Sequence, residues 1–556
     1  MKLQSFLLSH VVLHSTQALS LPDDVHAALT TRTDSKKPSI EWSECDLDFG
    51  HLRFGDLDFG DLDLNTLQRI YDCATLEVPL DYMNSSDGRT IKLDLIRAKA
   101  TKKPFKGSVL FNPGGPGGSG VEAVLLGATE ILPIIGGHHD LIGFDPRGTG
   151  RTIPFDCPSL DEWHTLEDGL HRRELHTFPQ YDAWEDIKTT WKKAGEVAEA
   201  CWEDHRDTGR FVGTPFVARD MISIVDALGQ SDKLNYWGSS YGTVLGQVAA
   251  SMFPKRVGRI LLDANLNADD YAAGTWLTGA IDTERTLANL FNDCVMSGKD
   301  LCSLADFHGK STTGESLMNT FREVFKAVEG TKSEDAQTLY SFKRKLFKNL
   351  YGPSQYPSIV QAIEPLFAGD KPDNCTLRDV DPTTEWNPQP ERPRGGIACS
   401  DSSLRVEDVD DFFSLAQCSN WKFSAAEPIN LNKLRNVNTS NPILVINGRY
   451  DPITSLRSAW EVSTKFRGSR VVVHEGAGHG LIAHPSNCTN NIVAKYFIDG
   501  EMPEVNTTCS PDETAFQYAD RMKALGKAMR KALDKALGKG SNEKDQESGA
   551  DRLSDS

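Results

Sequence analysis

Short apolar segments alternate with helix-like segments along most of this 556-residue chain, and this alternation constrains the fold more than any other feature. Two early segments within residues 73–98, joined by the turn MNSSDG, predict an edge hairpin. The later segments that predict buried strands are SVLFN, DLIGFD, KLNYW, RILLD, PILVIN and RVVVHEG. Strands separated by helices are typical of a mostly parallel sheet with helices on both faces, so we expect an α/β fold.

The strand pattern is interrupted over residues 265–441, where apolar residues recur at helical spacing. The first predicted helix there contains Leu317, Phe321, Val324, Phe325 and Val328. The second contains Leu339, Phe342, Leu346, Phe347 and Leu350. Apolar stripes at this spacing are typical of a helical core rather than of a cofactor site. The sequence therefore predicts a large helical cap inserted between two strands of the sheet.

The net charge argues against nucleic acid as a partner, and the hydropathy argues against a membrane-spanning segment. The formal net charge is −18, which disfavours nucleic acid because phosphate binding requires a basic surface. No apolar run approaches the roughly 20 residues of a membrane span. One segment, Arg521–Lys539, is basic and amphipathic. It is interpreted either as a surface helix packed on the body or as an anchor on a membrane or cell wall.

Three features predict a secreted glycoprotein. Residues 1–20 have the layout of a signal peptide and end in the small-residue site Ala18-Leu19-Ser20, although a disordered tail is the alternative. The 11 cysteines are many for a cytosolic enzyme. Sequons for N-glycosylation begin at Asn84, Asn374, Asn438, Asn487 and Asn506.

Sequence alone does not fix disulfide connectivity, but local spacing suggests five pairs. These are Cys45–Cys73, Cys157–Cys201, Cys294–Cys302, Cys399–Cys418 and Cys488–Cys509. Cys375 is left over, and no histidine motif accompanies it as a catalytic cysteine would require. The acidic repeat over residues 45–64 lacks the ligand spacing of an EF-hand, so it is interpreted as a surface insertion rather than a metal site.

The stretch YWGSSYGTVLG contains the nucleophile motif Gly-x-Ser-x-Gly. Only Ser240 has glycines two residues before and after it, at Gly238 and Gly242, whereas Ser239 does not. A nucleophilic serine on a tight strand-to-helix turn has strained φ/ψ, and neighbours without a Cβ let the turn close. The alternative is an ordinary Gly/Ser-rich turn, since short motifs recur by chance.

A nucleophilic serine needs a general base, and the base needs an acid that orients it. Asp451 follows the strand segment PILVIN, and His479 lies in a glycine-rich loop after the next strand segment. The chain order Ser, Asp, His is the order of parallel-sheet hydrolases. Asp263, at the end of RILLD, is a rival acid, while His474 and His484 are less free to reach a serine.

An oxyanion hole needs backbone N–H donors where negative charge develops. The amide of Tyr241, directly after the nucleophile, is one expected donor. The glycine-rich loop FNPGGPGGSG, residues 111–120, is expected to supply the other through Gly115. The loop lacks the Gly-Lys-Ser/Thr ending and the dinucleotide spacing of phosphate-binding loops.

These motifs resemble the secreted tripeptidyl aminopeptidases, relatives of prolyl iminopeptidase with the α/β-hydrolase fold. The matching pieces are CATLEVPLDY, NPGGPGGSG, DLIGFDPRGTGRT, YWGSSYGTVLG, FPKRVGRILLDAN, NGRYDPIT and GAGHG, in family order over residues 73–490. The resemblance implies a Ser240–Asp451–His479 triad and a C-terminal segment that completes the hydrolase core. Family members often have proline where Ser455 stands, and the acidic repeat and basic tail have no counterpart among them.

The expected domain order follows from these segments. Residues 1–20 are a signal peptide, 21–72 an N-terminal extension, 73–264 and 442–510 the two parts of the hydrolase core, 265–441 the cap, and 511–556 a basic helix with a disordered tail. The expected function is a secreted serine exopeptidase that cleaves short peptides from free N-termini without metal or organic cofactor. The alternatives are an esterase or lactonase with the same machinery and a catalytically silent binding protein.

Overall fold

The computed structural model describes residues 39–45, 53–54, 57–58, 70–84, 86–155, 157, 183–274, 278–329, 342–343, 345–369, 397–402 and 418–536. The expected signal peptide, most of the acidic repeat, Asn374, Cys375 and the tail beyond residue 536 lie outside these residues. Of the acidic repeat, the described part includes a two-strand hairpin, β1 (Arg53–Phe54) and β2 (Leu57–Asp58).

The remaining described strands have the following bounds. They are β3 Tyr71–Pro79, β4 Thr90–Ala98, β5 Ser108–Asn112, β6 Asp140–Phe144, β7 Leu234–Ser239, β8 Val257–Asp263, β9 Leu444–Tyr450, β10 Arg470–Ala477 and β11 Thr508–Cys509. Together they form one sheet in the order β11-β10-β9-β8-β7-β5-β6-β4-β3.

Only the edge of this sheet is antiparallel. β3 pairs with β4, and β4 pairs with β6, in antiparallel register, which confirms the expected edge hairpin. From β6 to β11 every neighbouring pair is parallel. All apolar segments that predicted strands form strands, and the α/β-hydrolase architecture is confirmed. Because parallel strands end at the same edge, the loops after β5, β7, β8, β9 and β10 lie on one side of the sheet.

Eleven α-helices with defined bounds occur in the described part of the chain. They are α1 Gly120–Ile134, α2 Ala183–His205, α3 Thr214–Leu228, α4 Tyr241–Met252, α5 Ala268–Ala273, α6 Thr283–Ser297, α7 Gly314–Glu329, α8 Tyr356–Phe367, α9 Leu456–Thr464, α10 Asn487–Asp499 and α11 Ala515–Ala536.

Successive strand residues pack into two different cores, as the period of two in a strand requires. Leu261 belongs to the core that includes α1 and α10, and the next residue, Leu262, belongs to the core that includes α3 and α4. Likewise, Tyr236 belongs to the core that includes α3 and α4, and Trp237 belongs to the core that includes α1 and α10. The central strands are therefore buried on both faces, and their carboxyl ends are fixed in position between two helical layers.

The described part of the segment between β8 and β9 contains α5 to α8, which pack in a third core, whereas residues 421–430 are not helical. α7 covers the first helix that the sequence predicts there. Of the second, residues 345–349 are helical and Leu339 lies outside the described residues. The insertion core also includes Phe516 from the first turn of α11. The exact boundaries 265–441 stay a prediction.

Five disulfides connect the pairs that local spacing suggests: Cys45–Cys73, Cys157–Cys201, Cys294–Cys302, Cys399–Cys418 and Cys488–Cys509. These cross-links are consistent with an extracellular, oxidising environment. The four sequon asparagines in the described residues, Asn84, Asn438, Asn487 and Asn506, are exposed to solvent.

Residues 521–536 of the basic segment belong to α11. Phe516 is buried in the insertion core, whereas Lys523, Leu525 and Lys527 farther along the helix are exposed. Both interpretations of this segment remain open. No helix among the described residues has the length and hydropathy to cross a membrane.

Candidate active site

Ser240 lies at the turn where β7 ends and α4 begins. Its backbone dihedral angles are φ 55° and ψ −123°, a region that residues with a Cβ rarely occupy. Its N–H donates to the carbonyl of Asp263 at 3.0 Å, and its carbonyl accepts the N–H of Thr243 at 2.9 Å. Ser239, in contrast, is the last residue of β7 and pairs in register with Asp263. The turn therefore holds Ser240 in the strained geometry of a nucleophile.

The two flanking glycines are required by contacts across this turn. A Cβ on Gly238 would lie 2.2 Å from the carbonyl oxygen of Gly242. A Cβ on Gly242 would lie 2.7 Å from the carbonyl oxygen of Asn112 in β5. Real Cβ contacts are essentially never below 3.0 Å, so any side chain here would force the turn apart. The Gly-x-Ser-x-Gly spacing has a local steric cause.

Asp451 follows β9, and its carboxylate is completely buried. One oxygen, Oδ1, accepts the N–H groups of Ile453 at 3.0 Å and Thr454 at 2.8 Å. The other, Oδ2, accepts the Thr454 hydroxyl at 2.6 Å and faces Nδ1 of His479 at 2.9 Å. A carboxylate that accepts this many bonds is fixed in one orientation. It can therefore hold His479 with Nε2 directed away from it.

His479 lies between Gly478 and Gly480, both with positive φ, in the loop after β10. Its side chain is 16% exposed. Burial by itself would lower the pKa of His479, but the charge of Asp451, its hydrogen bond and the charge of Asp263 raise that pKa above its ordinary value. A raised pKa makes the imidazole a stronger base toward a serine hydroxyl.

The rival residues have other partners. Nδ1 of His474 lies 3.0 Å from the Thr489 hydroxyl and its Nε2 lies 2.9 Å from the carbonyl oxygen of His484. Burial lowers the pKa of His474 to about 4. Nδ1 of His484 accepts the N–H of Ala477 at 3.1 Å. Both histidines thus support the loop structure, and His479 is paired with Asp451 rather than with Asp263.

The glycine-rich loop after β5 reaches the nucleophile turn through Gly114. A Cβ on Gly114, which has φ +103°, would lie 2.5 Å from the carbonyl oxygen of Ser239, 2.8 Å from Cβ of Ser240 and 2.9 Å from N of Tyr241. Sequence reasoning selected Gly115 and missed this contact, although the run of glycines signalled a close backbone approach. The roles of Gly115 and Tyr241 as oxyanion donors stay a prediction.

The Tyr241 side chain is anchored by a buried polar cluster. Its hydroxyl bonds with that of Thr214, which also donates to the carboxylate of Asp401. The N–H of Thr214 donates to Asp401 Oδ1 at 2.8 Å, and the Tyr271 hydroxyl donates to Oδ2 at 3.0 Å. Burial raises the pKa of Asp401 to about 6. No motif in the sequence pointed to Asp401, which is supplied by the insertion.

The insertion also contacts the histidine loop. The N–H of His479 donates to the carbonyl of Tyr351 at 2.8 Å, and the Tyr351 ring lies 5.3 Å from the imidazole. A Cβ on Gly478 would lie 2.4 Å from the same carbonyl oxygen. The insertion is therefore in direct contact with the loop that carries the expected base.

In the part of the chain that the structure describes, no three His, Cys, Asp or Glu side chains are grouped so that they could hold a metal ion. The site combines a serine in a strained turn with a buried carboxylate–imidazole pair, which are the chemical groups of a nucleophile and its general base.

Comparisons with known proteins show which proteins this chain is similar to. A family model described as TAP-like protein matches residues 408–509, a range that includes both Asp451 and His479. A tripeptidyl aminopeptidase from Streptomyces lividans is 26% identical over 510 residues, which cover 86% of this chain and 88% of that protein. This chain is a serine hydrolase related to the tripeptidyl aminopeptidases.

Two further relatives carry the names of a protease and of an esterase. The serine protease Hip1 of Mycobacterium tuberculosis is 26% identical over 79% of this chain and 87% of its own length. A protein of the same organism named carboxylesterase B is 27% identical over 79% of this chain and 86% of its own length. Among solved structures, a serine hydrolase from Cycloclasticus zankles aligns at 12% identity with a TM-score of 0.32, over 76% of this chain and 98% of that one.

Proposed function

We propose that this protein is a secreted serine exopeptidase that releases short peptides, most often tripeptides, from free N-termini. The observation that carries the proposal is the buried Asp451–His479 pair on the loop edge where Ser240 occupies its strained turn. The relatedness to tripeptidyl aminopeptidases supports the peptide substrate.

In the proposed reaction His479 removes the proton from the Ser240 hydroxyl as its oxygen attacks the scissile carbonyl carbon. The N–H groups of Gly115 and Tyr241 stabilise the oxyanion, and the start of α4 directs its positive dipole end to the same point. His479 then protonates the leaving amine, and an acyl-enzyme remains. Water hydrolyses this ester with His479 again as base, while Asp451 keeps the imidazole in one tautomer.

The insertion supports cleavage near a peptide end. It follows β8 and contacts the loop of His479 through Tyr351, so it lies at the carboxyl edge of the sheet. A helical cap in this position narrows the entrance and limits how much chain passes the serine. Recognition of an α-ammonium group would need a carboxylate or carbonyl cluster, which binds it by charge-assisted hydrogen bonds.

The first test uses Ser240→Ala with Ser239→Ala as its matched control. Labelling by a fluorophosphonate and peptidase activity should both be lost in Ser240→Ala, with kcat lower by about 10⁴-fold or more. Ser239→Ala should keep most of both activities, because Ser239 still belongs to the regular strand. Equal loss in two folded variants would overturn the choice of nucleophile, and an unlabelled wild type would favour a silent binding protein.

The second test decides the substrate. We expect kcat/KM for a peptide with a free N-terminus to exceed that of its N-acetylated twin, with products released from that end and identified by mass spectrometry. Equal values, or cleavage deep inside long chains, would refute an N-terminal gate. The carboxylesterase-named relative makes a serine esterase the second candidate. Turnover of simple esters without turnover of any free peptide would select it.

A further inference from the structure

Asp263 is a buried carboxylate for which the proposed reaction has no role. It ends β8, beside the nucleophile strand, and only 2% of the residue is exposed. Its carbonyl accepts the N–H of Ser240 at 3.0 Å. The next residue, Ala264, has φ 58°, so the backbone leaves the strand in a strained conformation directly after Asp263.

The carboxylate of Asp263 contacts the loop that carries His479. The N–H of Leu481 donates to Oδ1 of Asp263 at 3.1 Å and lies 3.3 Å from Oδ2. A Cβ on Gly480 would lie 3.4 Å from Oδ2 of Asp263. The N–H of Gly480 itself donates to Asp451 at 3.4 Å. Two buried carboxylates at the carboxyl ends of neighbouring strands thus hold three successive residues of the loop.

We propose that Asp263 is a positioning residue for His479, which it serves by holding the loop through Leu481 and by presenting a second negative charge to the imidazole. This inference rests on the proposed function, because it requires His479 to be the general base. The imidazolium that forms during acyl transfer is stabilised by both carboxylates, with Asp451 in hydrogen-bond contact and Asp263 acting through its charge.

The ionisation of Asp263 depends on pH in the range where the imidazole of His479 titrates. Burial raises the pKa of Asp263 to about 7, against the lowering effects of the Leu481 N–H and the His479 charge; the nearby charge of Asp451 raises it further. The titratable groups that act on it are His479 and Asp451. His479 therefore faces a neutral Asp263 at low pH and a charged one at higher pH.

The test separates charge from position with two substitutions. Asp263→Asn keeps an oxygen that accepts the Leu481 N–H and removes the charge. We expect the acidic limb of the rate of fluorophosphonate labelling to move to lower pH by about one unit, because His479 loses one of its two negative neighbours. Asp263→Ala also removes the acceptor, and its labelling rate at the optimum should fall about 10-fold below that of Asp263→Asn.

Asp293→Asn is the matched control. Asp293 of the insertion is also buried, its pKa is raised by burial to about 6, and it accepts the N–H of Ala515, the first residue of α11, at 3.1 Å. For Asp293→Asn, the labelling rate should fall at low pH over the same pH range as in the wild type. Asp263→Ser, which keeps a hydroxyl acceptor, is a second neutral variant should Asp263→Asn not fold, and it should show the same shift.

An unchanged or upward-shifted acidic limb in folded Asp263→Asn or Asp263→Ser would overturn the proposal. So would equal labelling rates for Asp263→Ala and Asp263→Asn at the optimum, because the carboxylate would then not hold the loop. The labelling rate depends on Ser240 and His479 without any peptide. A failure of the proposed peptide specificity therefore remains distinct from a failure of the role of Asp263.

Discussion

Substitution of Gly114 by alanine provides a direct test of how the glycine-rich loop meets the nucleophile. The new Cβ would lie 2.5 Å from the carbonyl oxygen of Ser239, whereas ordinary contacts begin at 3.4 Å. The loop and the turn must therefore separate by about 1 Å, and a displacement of this size at a reacting centre costs about 10²-fold in rate. The positive φ of residue 114 adds about 1–3 kcal/mol of backbone strain for any residue with a side chain.

Gly88→Ala is the control that introduces backbone strain at a positive φ without displacing any neighbouring atom. Gly88 has φ +69° and no atom within 4 Å of the position its Cβ would take. It should lose about 1–2 kcal/mol of stability with no change in catalysis. The assay compares fluorophosphonate labelling rates and the free energy of unfolding in urea for both variants and the wild type.

We expect Gly114→Ala to label about 100-fold more slowly than Gly88→Ala while remaining folded at the assay temperature. A labelling rate within threefold of the wild type would refute the inference that close approach of Gly114 sets the geometry of Ser240. Equal rate losses in the two alanine variants would show that backbone strain alone, and not the contact with the nucleophile turn, limits the rate.

Three further predictions concern a buried carboxylate, two disulfides and secretion. In the folded protein the pKa of Asp401 is about 6, so its carboxyl group keeps a proton between about pH 4 and 6, where the same group in the unfolded chain loses it. The free energy of unfolding should therefore fall by up to about 3 kcal/mol as pH rises through this range. Asp401→Asn should make the fall in unfolding free energy, measured in urea, smaller by the share of Asp401, and an unchanged slope would contradict this. Replacing both Cys157 and Cys201 by serine should destabilise the protein by about 1.5 kcal/mol more than replacing both Cys294 and Cys302. The reason is that the first disulfide closes a loop of 44 residues and the second a loop of 8 residues, so the first restricts the unfolded chain more. Equal losses in Tm would argue against this loop-entropy explanation. Protein purified from a secreting host should begin near Leu21 and carry N-glycans, and an intact Met1 without glycan mass would count against secretion.

The sequence by itself determined the features that depend on neighbouring residues. Short apolar runs located the central strands, because strands buried on both faces are apolar throughout, and alternation of apolar and polar residues located the edge hairpin. Glycine spacing selected Ser240 over Ser239, because Gly238 and Gly242 meet across a turn only a few residues long. Short separations along the chain suggested the disulfide partners, since nearby cysteines have few other choices.

Only the tertiary structure decided which distant residues meet at the site. The sheet order β10-β9-β8-β7-β5 places β8 beside the nucleophile strand β7. Asp263 at the end of β8 therefore contacts the His479 loop, while Asp451, which follows the next strand, hydrogen-bonds the imidazole. The same packing brings Gly114 against Ser240, Asp401 toward Tyr241 and Tyr351 onto His479. These contacts join residues far apart in the chain, and no local pattern encodes them, because they depend on how whole strands and helices pack.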